Sequence, residues 1–196
     1  MTACPWPVAQ LVPHSGDAIL IDTVDDWDEE TLRATAVVKP DGLYSNADGS
    51  LPPWMGLEIM AQAVGAWAGC QARHHGQQVG LGFLLGTRRY ECHVRGFAAG
   101  TRLTIHVAQS LRDAAGMGVF ECELRADARL LASARLNVYQ PADAGAFTRE
   151  PAPDATGADV PPGATTAGDP LTLDGRAAGT ATASSRSPSA NRDSAP

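Results

Sequence analysis

Pro52-Pro53-Trp54-Met55-Gly56-Leu57-Glu58-Ile59-Met60-Ala61-Gln62-Ala63-Val64-Gly65-Ala66-Trp67-Ala68 opens a run that closes at His74-His75-Gly76. Proline is tolerated in a first helical turn and glycine ends a helix, so the spacing predicts a helix from about Trp54 to His75. Apolar residues occupy nearly every direction around its axis, the mark of a helix buried on most faces. Between Gly49 and Ala72 the only charged side chain is Glu58. A carboxylate in such surroundings costs several kcal/mol unless it is paired, hydrogen-bonded or protonated. Desolvation favours the protonated form of a carboxyl, which suits a general acid. Gln62, Gly65 and Gly69 follow Glu58 on the same helical stripe. Gln62 is placed to hydrogen-bond the carboxylate, and the glycines leave room for something slender. The alternative is structural: an acid in a first helical turn also suits the helix dipole.

The segments on either side of the helix read as strands. Asp17 to Val24 is a short apolar run rich in β-branched residues, and Leu32 to Val38 is its partner across a turn at Asp25–Glu30. Pro40 to Ser50 collects the residues of a loop. Four strand-like stretches follow the helix: Val79–His93, Thr101–Gln109, Met117–Arg125 and Arg129–Tyr139. In the second, Leu103, Ile105 and Val107 alternate with Arg102, Thr104 and His106. In the last, Leu130, Ala132, Ala134, Leu136 and Val138 face away from Leu131, Ser133, Arg135 and Asn137. Two strands, one long buried helix and four strands make an α+β layout, a sheet wrapped on a helix.

Composition bounds the rest. Residues 141–196 change character: forty of these 56 are Pro, Gly, Ser, Thr or Ala. Such a segment has too little apolar surface to offset its ordering entropy and reads as a disordered tail, leaving residues 1–140 as one domain. The net charge is −7 with no basic block, which argues against nucleic acid as the main partner. No apolar run approaches the ~18 residues that signal a membrane span. Met1 to Gln10 lacks the regions of a secretory signal. Cys4, Cys70, Cys92 and Cys122 lie far apart in sequence without a C-x-x-C pair, which points to neither a zinc site nor a disulfide framework. The expectation is a cytoplasmic, reduced, metal-free protein. Gly80-Leu81-Gly82-Phe83-Leu84-Leu85-Gly86 has the wrong spacing for a dinucleotide loop and reads as strand glycines beside the helix.

The stretch Gly56-Leu57-Glu58-Ile59-Met60-Ala61-Gln62-Ala63-Val64-Gly65 resembles the central helix of the hotdog-fold 3-hydroxyacyl-carrier-protein dehydratases. Leu11-Val12-Pro13-His14 with Ile19-Leu20-Ile21-Asp22-Thr23-Val24 resembles their opening L-P-H-R…L-L-V-D-R-V, and Ala98-Ala99-Gly100-Thr101-Arg102-Leu103 stands where they carry V-x-P-G-D-x-L. Together these cover about residues 11–140. Trp54–Gln62 and Gly82–Tyr90 are most similar to the dehydratase-like proteins of aryl polyene pigment clusters.

The resemblance implies a hotdog fold and a β-elimination. A histidine removes the α-proton of a 3-hydroxyacyl thioester while the helix carboxylate, here Glu58, protonates the departing hydroxyl. An N–H at the helix start polarises the thioester carbonyl. The substrate rides on the phosphopantetheine arm of an acyl carrier protein, no other cofactor is needed, and two protomers build each site. Gln62, Trp54, Met55 and Gly65 are then the candidate substrate-binding residues. Arg88, Arg89, Arg95 and Arg102 form a local positive group; the first three are the candidates for docking an acidic carrier protein, with a solvated strand face as the alternative.

The sequence departs from that pattern twice. The family's histidine-bearing loop corresponds to Gly42–Leu51, which contains no histidine, and the family's glycine before the acid corresponds to Pro53, which has no N–H. His14 is the candidate substitute base within this chain, although its position in the family is not catalytic; the alternative is a histidine that fixes the loop by hydrogen bonds. His74 and His75 suit the helix C-terminus as caps, and His93 and His106 have no assigned role. Three functions fit: a dehydratase using Glu58 as acid and His14 or a partner's histidine as base; an incomplete subunit that pairs with a histidine-bearing paralogue as a heterodimer rather than a homodimer; and a hotdog thioesterase in which Glu58 activates water.

Overall fold

The computed structural model describes residues 1–141; the proposed tail, apart from Pro141, lies outside the described residues. Seven strands form one sheet: β1 (Thr2–Ala3), β2 (Thr23–Trp27), β3 (Thr31–Val37), β4 (Phe83–Cys92), β5 (Arg102–Arg112), β6 (Met117–Ala126) and β7 (Arg129–Tyr139). The order across the sheet is β1-β2-β3-β5-β6-β7-β4, and every neighbouring pair is antiparallel. Among the described residues one α-helix, α1 (Met55–His74), packs on the sheet, within a residue of the predicted bounds. One antiparallel sheet with one central helix is the hotdog fold.

The alternation read from sequence sets the inner face. Leu32, Ala34 and Ala36 of β3, Leu103, Ile105 and Val107 of β5, Phe120, Cys122 and Leu124 of β6, and Ala132, Ala134 and Leu136 of β7 are all buried. They meet Met55, Ile59, Met60, Ala63, Ala66, Trp67 and Cys70 of α1 in one continuous core. The β2–β3 hairpin is pinned to the helix at its tip. The Asp28 side chain accepts the N–H groups of Glu30 and Thr31, and its carbonyl accepts Trp67 Nε1–H at 3.2 Å and Gln71 Nε2–H at 2.9 Å.

Four boundaries differ from the sequence reading. Asp17–Val24 is not a strand throughout: Gly16–Ala18 forms a 3-10 turn and β2 starts only at Thr23. Ile19 and Ile21 still face inward, but the Leu20 N–H bonds to a side chain of the helix and only Asp22 reaches the neighbouring strand. The turn is correspondingly later, because Asp26 and Trp27 still pair with Arg33 and Leu32. The stretch 79–82 precedes β4 instead of joining it, while β5 continues past Gln109 to Arg112 through a bulge between Gln109 and Leu111. The fold also brings together two thiols distant in sequence: Cys4 Sγ lies 3.7 Å from Cys70 Sγ. No helix among the described residues is long and apolar enough to cross a membrane.

Candidate active site

Gln62 organises the site. Its residue is buried, and its amide is fully used: Oε1 accepts the Leu20 N–H at 2.8 Å, and Nε2 donates to the Ala18 carbonyl at 2.9 Å and to Glu58 Oε1 at 3.0 Å. A glutamine amide has two donors and one acceptor oxygen, so a single side chain ties the 18–20 segment to the helix and orients the carboxylate one turn earlier. This is why the run before Thr23 meets β3 only at its end, where the Asp22 N–H donates to the Thr35 carbonyl at 2.8 Å. Part of its backbone hydrogen bonding is supplied by α1.

The same tether delivers His14. Its Nε2 stands 3.6 Å from Glu58 Oε1, and its Nδ1 is out of solvent with no hydrogen-bond partner among the described residues. Glu58 itself is not enclosed by the chain. Its side chain is 39% exposed and that of His14 36%. The premise of a carboxylate sunk in grease is thus corrected: the apolar helix leaves one stripe uncovered by the sheet, and Glu58 stands at its start.

That stripe is the wall of a cavity of about 240 Å3. His14, Glu58 and Gln62 stand at one end. Ala61, Gly65 and Ala68 run along the helix, and Gly82, Leu84, Phe120 and Val138 form the opposite side. Trp67, Gln109, Arg112 and Gln140 close the far end, Trp67 standing nine residues along the helix from Glu58, or about 13 Å at the helical rise. A Cβ built on Gly65 meets nothing within 4 Å, so the cavity exists partly because this residue has no side chain.

The other sequence candidates fall elsewhere. Trp54 is 60% exposed at the helix N-cap, Met55 is buried in the core, and neither lines the cavity. The Met55 N–H donates to the Pro52 carbonyl, Gly56 to Pro53 and Leu57 to Trp54, so these amides at the helix start are engaged within the turn. The Tyr90 hydroxyl donates to the Pro53 carbonyl, and burial, followed by its hydrogen bond with Cys92, pushes its pKa well above the usual range. Arg88, Arg89 and Arg95 are all exposed, with Arg88 and Arg89 on β4 at the sheet edge. Arg89 is held by Glu91 through two hydrogen bonds of 3.0 Å.

Sequence reasoning missed the far end of the cavity. Gln109 continues the inward register of Leu103, Ile105 and Val107, and a polar residue in an inward register was the available signal. Arg112 lay beyond the expected end of its strand. Its guanidinium stands over the Trp67 ring, 5.9 Å from the centroid.

The model of the ApeP-like family, described as ApeP dehydratase, matches residues 6–149. Among solved structures, a chain of the dehydratase heterocomplex ApeI:P from Xenorhabdus doucetiae is 32% identical with a TM-score of 0.68, over 74% of this chain and 97% of that one. A sigma28-regulated virulence protein from Campylobacter jejuni (9% identity, TM-score 0.51, 69% and 88% covered) and an uncharacterized protein from Pyrococcus horikoshii (12%, 0.50, 70% and 96%) share the fold alone. No curated protein matches the sequence. The match across residues 6–149 and the 32% identity place this chain in one family: it belongs to the ApeP-like dehydratases.

Proposed function

We propose that the protein eliminates water from a 3-hydroxyacyl thioester of aryl polyene biosynthesis, with Glu58 and His14 as the proton-handling pair. The observation that carries this reading is the approach of His14 Nε2 to Glu58 Oε1 at the end of an elongated, mostly apolar cavity. The step calls for His14 as proton acceptor and for a proton carried by the Glu58 carboxyl. His14 takes the α-proton, the electrons of that C–H bond form the double bond, and the C–O bond at the 3-position breaks. Glu58 gives its proton to the departing hydroxyl, which leaves as water. An imidazolium and a carboxylate remain side by side, and transfer of one proton between them restores the starting state. Gln62 holds the carboxylate oxygen in place throughout. The substrate arrives on the phosphopantetheine of an acyl carrier protein, whose acidic surface meets Arg88, Arg89 and Arg95.

A second reading is favoured by two observations. The Gly42–Leu51 loop has no histidine, and the most similar structure described above belongs to a heterocomplex. In this reading a histidine-bearing hotdog dehydratase pairs with this chain and supplies the base to Glu58. The exposed Leu84 and Leu85 on the edge strand β4 offer the surface for that pairing.

Mass spectrometry of a synthetic 3-hydroxyacyl-carrier-protein separates these readings. Loss of one water with this protein alone supports the His14–Glu58 pair. Loss only when a paralogue is added supports the shared site. Release of free acid without enoyl product would point instead to a thioesterase.

A further inference from the structure

The N-terminal segment crosses the last turns of α1 on its way to His14. Its strand β1 has two residues, both exposed, and pairs with β2 at two positions only. Further along, Trp6 tilts against Trp27 with ring centroids 6.1 Å apart. The Gln10 carbonyl accepts Arg73 Nε–H and Nη2–H at 3.3 Å each, and the Leu11 backbone presses on Gly69. Between β1 and Trp6, Cys4 Sγ meets Cys70 Sγ at 3.7 Å, across sixty-six positions of sequence. Closing that gap to a bond of about 2.05 Å is within reach of two side chains when one of them rides on so lightly paired a segment.

The two thiols differ in access. Cys70 is fully buried, whereas Cys4 is partly exposed. Burial, with Cys4 beside it, pushes the Cys70 thiol well above its usual range, which keeps it protonated and inert toward reagents in solvent. The remaining cysteines stand apart from this pair: Cys92 Sγ donates to the Val94 carbonyl, and Cys122 is buried on β6.

We infer that Cys4 and Cys70 are an oxidisable pair, which a hydroperoxide closes into a disulfide that latches the N-terminal segment onto α1. The accessible thiol reacts first. The peroxide O–O bond breaks, one oxygen passes to Cys4 Sγ to give a sulfenic acid, and the other leaves as water. Cys70 Sγ then attacks Cys4 Sγ, the S–O bond breaks, and the hydroxyl leaves with the Cys70 proton as a second water. The two thiols together lose two electrons, and the peroxide gains them. Contact between the sulfurs makes the second step intramolecular, which offsets the weak nucleophilicity of a protonated thiol. The latch holds the same segment that runs on past Gly69 to His14, and it stands independently of the chemistry proposed for Glu58.

The test treats the full-length protein with a small excess of hydrogen peroxide, stopped by catalase. Two of the four thiols are expected to become resistant to alkylation under denaturing conditions. Proteolysis then yields a single linked species joining the Cys4 and Cys70 peptides, lighter than their sum by two hydrogens. The melting temperature rises by about 5–10 °C, the scale of a cross-link that closes a long loop in a domain of this size. Hydrogen exchange across Leu11–His14 slows, and dithiothreitol reverses every change. Cys4→Ser removes the partly exposed thiol and abolishes the peroxide-dependent shifts. Cys70→Ala leaves Cys4 without its partner, so the sulfenic acid persists and is captured by dimedone. Retention of all four thiols, a link through Cys92 or Cys122, or oxidation of Cys4 to the sulfinic acid without a link overturns the pair. A Cys4–Cys70 bond that leaves both melting and exchange unchanged overturns the latch.

Discussion

Gly65 and Gly69 stand one helical turn apart on α1, and their surroundings are opposite. A Cβ at Gly65 enters open space, whereas a Cβ at Gly69 lies 2.2 Å from the Leu11 carbonyl oxygen. The first glycine faces the cavity. The second is where the N-terminal segment presses its backbone against the helix. One side of the helix is sealed, with Ile59, Met60, Ala63, Ala66 and Cys70 nearly inaccessible, and the other side is left open at Glu58, Ala61, Gly65 and Ala68. The sealed side holds the fold, and the open side gives the protein something to act on. The same residue type therefore has two unrelated tasks within four positions.

This contrast is broken or sharpened by substitution. Glu58→Gln keeps an oxygen for Gln62 to bond but has no proton to give, so turnover of a 3-hydroxyacyl-carrier-protein falls by about 10²- to 10⁴-fold with the melting temperature unchanged. Undiminished turnover would remove Glu58 from the chemistry. Gly65→Leu fills the open side without crowding the core. Affinity for acyl thioesters drops at least about 10-fold, the scale of a few lost apolar contacts in a pocket, while stability is kept. Unchanged binding would mean that the acyl chain lies elsewhere. On the sealed side, Gly69→Ala costs about 1–3 kcal/mol, because the methyl meets backbone that cannot rotate away. Gly65→Ala is its control and raises stability by up to about 1 kcal/mol, the intrinsic helix preference of alanine over glycine. Thermal or denaturant unfolding of the two alanine variants gives both signs in one experiment.

Legibility in the sequence follows the same division. The helix was readable to within a residue because its proline pair, apolar run and terminal glycine agree. β5 and β7 were readable because their alternation is clean. The Glu58–Gln62 contact followed from helical spacing alone. What sequence does not carry is which side of a helix apolar all round is left bare, and that decided the setting of Glu58. Nor does an apolar run such as Ala18–Leu20 reveal whether its backbone groups meet a neighbouring strand or a side chain. Gln62, forty-two positions beyond Leu20, settles that only in three dimensions. The glycines at 80 and 82 were read as strand residues beside the helix, but they precede β4 and line the cavity. Arg112 was hidden by a bulge, which shifts the period by one residue and ends a pattern-based strand too early.

The smallest expected effect concerns how the sealed side is anchored. The hairpin tip reaches Trp67 and Gln71 through the Asp28 carbonyl, and the Asp28 side chain shapes that tip. Its carboxyl is held below the ordinary range chiefly by the Thr31 hydroxyl, against the opposing pull of burial, with the Glu30 and Thr31 amides adding to the effect. A carboxyl depressed in the folded state contributes stability that is fully present above its unfolded pKa. That contribution is lost as pH falls through the lower, folded value. Thr31→Val removes the hydroxyl, so the variant is slightly less stable at neutral pH and its acid unfolding limb is flatter. The difference between the two proteins closes as the carboxylate range is crossed from above. Because the Asp28 side chain is 39% exposed, solvent screening holds the neutral-pH loss below about 1 kcal/mol. Acyl binding on the open side is untouched, since the hairpin contacts the helix through the Asp28 carbonyl rather than through the threonine. A pH-independent loss would place the whole effect of Thr31 in packing. A change in acyl affinity would show that the two sides of the helix are coupled through the hairpin.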